Sequence, residues 1–119
     1  MESINVEKKF GLFHDLWGPK IIAEWNGQQV VIVKIKDEFV WHSHKNEDEL
    51  FFVMKGTLKI ELRDKTIELN AGEMTVIPKT VEHKPVAEEE VWLMAFQPMN
   101  IKHIGDLKDK SSVEKYEKL

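Results

Sequence analysis

The chain contains no cysteine in its 119 residues and a single arginine, Arg63. The first absence excludes disulfide bonds, thiolate metal ligands and a cysteine nucleophile. Any metal site must therefore be built from nitrogen and oxygen ligands. The scarcity of arginine, with Arg63 predicted at a hairpin turn, argues against a phosphosugar substrate, because phosphates are usually held by a bidentate guanidinium. Lys34, Lys79 and Lys84 are the alternative candidates for a positive charge.

Other signals are missing too. No apolar run approaches the ~20 residues of a membrane helix. The first ten residues, MESINVEKKF, lack the apolar core of a signal peptide. The formal charge of −4 gives no indication of the basic surface typical of nucleic-acid binding. We therefore expect a cytoplasmic protein with neither a membrane nor a nucleic-acid partner.

The length and the 42% hydrophobic content are those of one folded domain with its own core. We expect a single domain over residues 1–119, with a core barrel at about 20–98, an N-terminal arm at 1–19 and a polar tail at 100–119. The arm is predicted as an edge strand or an irregular segment. In the tail, Ser111 and Glu114 have the spacing of a capping box, which predicts a short helix over residues 111–119.

Most of the chain has the alternation of β-strands. Asn26-Gly27 predicts a type I′ hairpin between strands at Lys20–Trp25 and 28–36. Further short segments with β-strand character are predicted at 39–44, 50–56, 57–64 and 91–98, with a solvated turn at the acidic residues 88–90. Residues 65–78 are predicted as a short strand, a turn at 70–72 and another strand that ends at Pro78. Because turn signals separate these segments and no helical period is sustained between them, the sequence predicts an all-β sandwich or barrel.

Two histidines stand out in the segment WHSHKNEDELFFVMKG. His42 and His44 are two residues apart, and in a strand this spacing places both imidazoles on the same face. Two neutral imidazoles aimed at one point suit a metal ion. The alternative interpretation is an exposed histidine-rich strand end beside acidic residues.

Glu49 supports the metal interpretation, because it shares its strand face with Phe51 and Val53. If that face is the barrel interior, the carboxylate is buried among apolar groups, which costs several kcal/mol without a partner. A cation held by the two histidines would supply that partner. His83 alone is more typical of a surface histidine, and His14 and His103 show no informative spacing.

At these positions the chain resembles the cupins, small proteins of the double-stranded β-helix or jelly-roll fold. The first cupin motif matches over the span His42-Ser43-His44, KNED, Glu49, LFFVMK, Gly56. The second matches at Gly72, EMTVI, Pro78 and His83. Lys36, Thr80 and Ala87 depart from the motifs, at turn and loop positions and not at ligands.

The resemblance implies a jelly-roll barrel in which His42, His44, Glu49 and His83 bind one divalent metal ion: iron, manganese, nickel, copper or zinc. It also implies that Gly56 and Gly72 form tight turns, which their freedom at positive φ allows. The resemblance covers about half of the chain.

Such a site suits a metal-dependent enzyme of the oxygenase or isomerase type that acts on a small molecule. The alternative is a non-catalytic module that binds a small ligand or a sugar, with a structural metal. Leu50, Phe52, Met54 and Trp41 form a candidate outer apolar face. The resemblance implies a homodimer, which would cover such a face.

Overall fold

The computed structural model describes residues 1–99 and 116–119, and within them one short helix and eight strands. No helix in this part of the chain is long and apolar enough to span a membrane. The elements are α1 (Val6–Phe10), β1 (Lys20–Trp25), β2 (Gln28–Glu38), β3 (Glu49–Lys55), β4 (Thr57–Glu61), β5 (Thr66–Asn70), β6 (Met74–Ile77), β7 (Lys84–Pro98) and β8 (Glu117–Lys118).

The predicted hairpin between β1 and β2 is confirmed. Asn26 and Gly27 both have positive φ, at 43° and 75°, as a type I′ turn requires. The two strands pair antiparallel from Trp25 opposite Gln28 to Lys20 opposite Ile32. The local turn chemistry therefore sets the register of the first two strands.

Strand β7 joins the parts of the barrel. On one edge it pairs with β2 from Val86 to Pro98, and on the other its first residues pair with β4 and its later residues with β3. The predicted turn at residues 88–90 is wrong, since these glutamates lie exposed inside β7. They bulge out where the β2–β7 register jumps from Ile35–Val91 to Asp37–Ala87, so the strand bends without ending.

Inward-facing side chains of the strands form one apolar core. On β7 these are Val91, Leu93 and Ala95, while Trp92, Met94 and Phe96 point to the other side. Buried members from β2 to β7 are Val31, Val33, Ile35, Phe51, Val53, Leu58, Ile60, Leu69, Ile77, Ala87, Val91, Leu93 and Ala95. The all-β jelly-roll prediction is confirmed.

The N-terminal arm covers part of the outer sheet face, and its predicted strand or irregular form is wrong for residues 6–10. Asn5 caps α1 by accepting a hydrogen bond from the Lys8 amide at 2.9 Å. Phe10 is fully buried and stacks on Trp92 with ring centroids 4.8 Å apart. The arm thus buries apolar surface that the barrel alone would expose.

The predicted outer apolar face is only partly correct. Phe52 and Met54 are half-buried against the cluster around Phe10. Trp41 packs elsewhere, because the Arg63 guanidinium lies 3.8 Å from its ring centroid.

Residues 111–115 of the predicted C-terminal helix fall outside the described residues. For Glu117–Lys118 the helix prediction is wrong, since they form β8, which pairs parallel with β1.

Gly56 and Gly72 have similar backbone conformations but differ in how closely other atoms pack around them. Both have positive φ, at 89° and 87°, but a Cβ on Gly56 would lie 2.7 Å from the Glu90 carbonyl oxygen, whereas nothing lies within 4 Å at Gly72.

We expect Gly72→Ala to lower the free energy of unfolding by about 1 kcal/mol through backbone strain alone. Gly56→Ala should cost a further ~1–3 kcal/mol from overpacking. Urea unfolding of both variants measures the difference, and equal losses would contradict the close approach.

Candidate metal centre

The two histidine segments are joined by their backbones. The predicted strand at 39–44 is wrong, because only His42 pairs, in an isolated bridge with His83. The His42 amide donates to the His83 carbonyl at 3.1 Å, and the His83 amide donates to the His42 carbonyl at 2.9 Å. Residues in such a pair carry their side chains on the same face, which brings both imidazoles to one place.

Two further hydrogen bonds fix the loop before His83. The Thr80 amide donates to the His44 carbonyl at 2.7 Å, and the Lys79 amide donates to Asp48 Oδ1 at 2.7 Å. Thr80 has φ of 73°, a left-handed conformation that explains why the motif has glycine at this position. The departure at Thr80 therefore leaves the loop geometry intact, at the expense of local backbone strain.

The three imidazoles meet inside the barrel. The ring centroids of His42 and His83 are 4.3 Å apart, and those of His42 and His44 are 5.3 Å apart. One potential ligand atom from each of the three residues lies within 4.8 Å of the other two. All three residues are buried, with His83 fully so.

Backbone carbonyls determine which nitrogen can bind a metal ion. Nδ1 of His42 contacts the Val40 carbonyl oxygen at 2.9 Å, and Nδ1 of His83 contacts the Val81 carbonyl oxygen at 2.9 Å. A carbonyl can only accept, so both Nδ1 atoms carry the proton and donate. In the neutral ring, Nε2 then has the lone pair, the arrangement that orients metal-binding histidines.

The buried ring nitrogens of these histidines that lack hydrogen-bond partners are suited to binding a metal ion. His83 Nε2 and both ring nitrogens of His44 are buried without a hydrogen-bond partner. Glu49 Oε1 lies 3.0 Å from His44 Nε2, in a geometry that is not that of a hydrogen bond. Among the described residues, the group whose ligand atoms all lie within 4.8 Å of one another consists of the three histidines, and Glu49 adjoins it without belonging to it. A metal ion held by the imidazoles would give their buried nitrogens a partner. An unpaired buried polar atom otherwise costs about 1–3 kcal/mol.

Burial lowers the pKa of His83 below its ordinary value, and the neighbouring His44 acts in the same direction. The Val81 hydrogen bond and the Glu49 charge oppose this shift without reversing it. Because the neutral imidazole is the form that binds metal, burial keeps His83 ready to act as a ligand at neutral pH.

A cavity of about 60 Å³ adjoins the histidines and holds His42 and Glu49 in its wall. Most of the wall is apolar, from Val31, Val33, Ile35, Phe51, Leu93 and Ala95 among others. Trp17 and Pro19 of the N-terminal arm also line it, so the arm caps the barrel.

Two polar residues of the cavity wall were not predicted from the sequence. Gln97 lies on the inward face of β7 and is 3% exposed, and Tyr116 precedes β8. The alternation Val91, Leu93, Ala95, Gln97 could have indicated the first, but nothing in the sequence indicates where Tyr116 folds. Burial and then the Glu49 charge raise the pKa of Tyr116, while a hydrogen bond with Gln97 lowers it by less.

Among the described residues, no lysine or arginine lines the cavity. Lys34, a candidate charge, is buried on the opposite side of β2, where its Nζ donates to the Phe13 carbonyl at 2.8 Å. Lys84 pairs with Glu38 at 3.1 Å. The carboxylates of Asp48 and Glu82 are also outside the cavity wall, and Glu82 pairs with Arg63 at 3.1 Å.

Comparison with known proteins agrees with this architecture. Residues 29–96 match the family described as "Cupin domain", and the chain belongs to this family. A crystal structure of a cupin-2 domain containing protein from Shewanella frigidimarina is 55% identical, with a TM-score of 0.79 over 80% of this chain and 93% of that one. Protein NMB1881 from Neisseria meningitidis is 28% identical, with a TM-score of 0.76 over 82% and 99%.

A curated relative, the uncharacterised protein YdbB of Bacillus subtilis (strain 168), is 39% identical over 64 residues, which are 53% of this chain. The match spans 57% of that protein's length. These similarities define the fold and the family and leave the activity to be inferred from the site.

Tyr116 is the only tyrosine, so its ionisation can be followed directly by absorbance. We expect phenolate absorbance of the folded, metal-free protein to appear well above the usual pKa of about 10, because burial and Glu49 disfavour the phenolate. The unfolded chain loses this proton first, so the contribution of Tyr116 to stability is full below pH ~10 and falls as pH rises further. Titration in urea is the control, and the same midpoint in both would contradict the burial.

Proposed function

We propose that the chain binds one divalent metal ion through His42, His44, Glu49 and His83 and uses it on a small molecule held in the adjoining cavity. The observation that carries the proposal is the set of buried imidazole nitrogens without hydrogen-bond partners in a group close enough to hold one ion. Nitrogen and carboxylate donors suit iron, manganese, nickel, copper and zinc.

When bound, such a metal supplies a Lewis acid or a site for oxygen activation. The chain's own residues supply the surroundings. The carbonyls of Val40 and Val81 orient two imidazoles, and the apolar wall keeps water away from the ligand. We infer an enzyme of the oxygenase or isomerase type, because the cavity beside the histidines gives a ligand direct access to His42 and Glu49.

A second candidate function is a non-catalytic small-ligand module with a structural metal. It is favoured by the lack of an independent base: in the described wall, the only titratable side chains are His42, Glu49 and Tyr116, and the first two are proposed ligands. Turnover of any small substrate that depends on added metal would favour the enzyme. Ligand binding without turnover would favour the module.

The metal proposal predicts about one equivalent of a divalent ion in purified protein, measured by elemental analysis. His44→Ala should lower the affinity by about 100-fold or more, beyond the 10–100-fold effect typical of a residue that only supports a ligand. Metal saturating at 100 times Kd should raise the free energy of unfolding of the wild type by about 2.7 kcal/mol.

His14→Ala is the matched control, since His14 is exposed and apart from the cavity. It should keep both the metal and the stabilisation. Folding of each variant is checked by far-ultraviolet circular dichroism in the absence of metal. A wild type that binds no ion after reconstitution, or equal binding by His44→Ala, would refute the site.

We also propose that the protein forms a homodimer through an outer apolar band across β6, β3 and β7. Val76, Leu50 and Phe96 lie side by side in the strand register. Val76 and Met74 are 54% and 58% exposed. In the described part of the chain β6 pairs only with β3. A second copy suits this surface, because an antiparallel edge can pair with itself about a two-fold axis.

The dimer proposal predicts a dimer in sedimentation velocity at micromolar concentration. Val76→Asp should shift the protein to monomer, because it places a charge in the apolar interface. Leu12→Asp is the matched control, since Leu12 is 65% exposed on the N-terminal arm, away from β6. A wild-type monomer, or a Val76→Asp dimer of unchanged stability, would rule out this surface.

A further inference from the structure

The cavity wall has two kinds of polar group. His42 and Glu49 belong to the proposed metal centre, whereas Gln97 and Tyr116 do not. Tyr116 and Gln97 both line the cavity, and hydrogen bonding by Gln97 acts to lower the pKa of the Tyr116 phenol. They therefore form a second polar point in a wall that is otherwise largely apolar.

The strand register places this pair beside the metal centre. Leu50 lies opposite Phe96 in the β3–β7 pairing, so Gln97 neighbours Glu49 across the two strands on the inward face. Tyr116 also feels the charge of Glu49. A ligand in the cavity can thus contact the Gln97–Tyr116 pair and the metal centre together.

The charge of the wall and the volume of the cavity limit which molecules can bind there. Within the described residues, its wall contains no cationic lysine or arginine to hold a phosphate or a carboxylate. Its volume of about 60 Å³ suits a small molecule. An amide and a phenol can pair with one oxygen atom, and the apolar wall covers the rest of a short carbon skeleton.

We propose that Gln97 and Tyr116 form a recognition subsite for the carbonyl or hydroxyl oxygen of a small, uncharged, largely apolar molecule. The further claim that this molecule is the ligand on which the metal acts rests on the proposed function. Both residues are specificity determinants that hold the ligand oxygen while the apolar wall holds the carbon skeleton.

The probe is 2-butanone, which has five heavy atoms and one carbonyl. Its Kd is measured from methyl chemical shifts of Val31, Val33 and Leu93 in the cavity wall, first without metal and then with zinc. Loss of one hydrogen bond should weaken binding about three- to tenfold in Tyr116→Phe and in Gln97→Leu. The hydrocarbon isostere 2-methyl-1-butene should bind all these proteins equally.

Gln28→Leu is the matched control. Gln28 lies opposite Pro98 in the β2–β7 register, on the outer face of β2 with Val30 and Ile32, and it is not in the cavity wall. It should leave the Kd of 2-butanone unchanged, whereas a loss equal to that of Gln97→Leu would overturn the subsite. Propionate, an anion of the same size, should bind the metal-free protein more weakly than 2-butanone.

Unchanged ketone binding in both Tyr116→Phe and Gln97→Leu would overturn the subsite, and so would tighter binding of propionate to the metal-free protein. Because these measurements do not need the ion, they separate the two proposals. If the protein binds none of the five divalent ions after reconstitution and still loses ketone affinity in Tyr116→Phe, the subsite is supported and the metal centre is refuted.

Discussion

The reciprocal hydrogen bonds between His42 and His83 are the interaction on which the candidate site depends. They hold two chain segments in register and place two imidazoles on the same side. A third hydrogen bond, from the Thr80 amide to the His44 carbonyl, ties His44 to the loop that precedes His83. The side chains are therefore organised by backbone pairing, which brings one nitrogen of each imidazole within 4.8 Å of the others.

The same arrangement divides the barrel interior by polarity. Unpaired nitrogens and the Glu49 carboxylate are gathered at one place, and apart from Gln97 and Tyr116 the rest of the cavity is lined by apolar side chains. In the part of the chain that the structure describes, cationic side chains stay outside the cavity wall, as Lys34 does on the far side of β2. A charged group in such a wall would need its own partner. Keeping the polar groups together lets one ion satisfy several of them.

Local signals in the sequence predicted much of the fold. Asn26-Gly27 requires positive φ, and alternation in β3 identifies Glu49 as inward-facing, so both could be read from neighbouring residues. Long-range pairing was not readable in this way. The glutamates at 88–90 resemble a turn, yet pairing on both sides keeps them inside β7. The helical arm and the position of Tyr116 depend on tertiary contacts with the barrel, which no local pattern encodes.

Strand β7 has a consequence for the order of folding during synthesis. It provides pairing partners for β2, β3 and β4, all of which precede it in the chain. A nascent chain therefore exposes unpaired strand edges until residues 84–98 have left the ribosome. Closure of the barrel is a late and largely non-local event, which is slow in β-rich domains. The interval before β7 emerges is when the growing chain has the greatest need of chaperone protection.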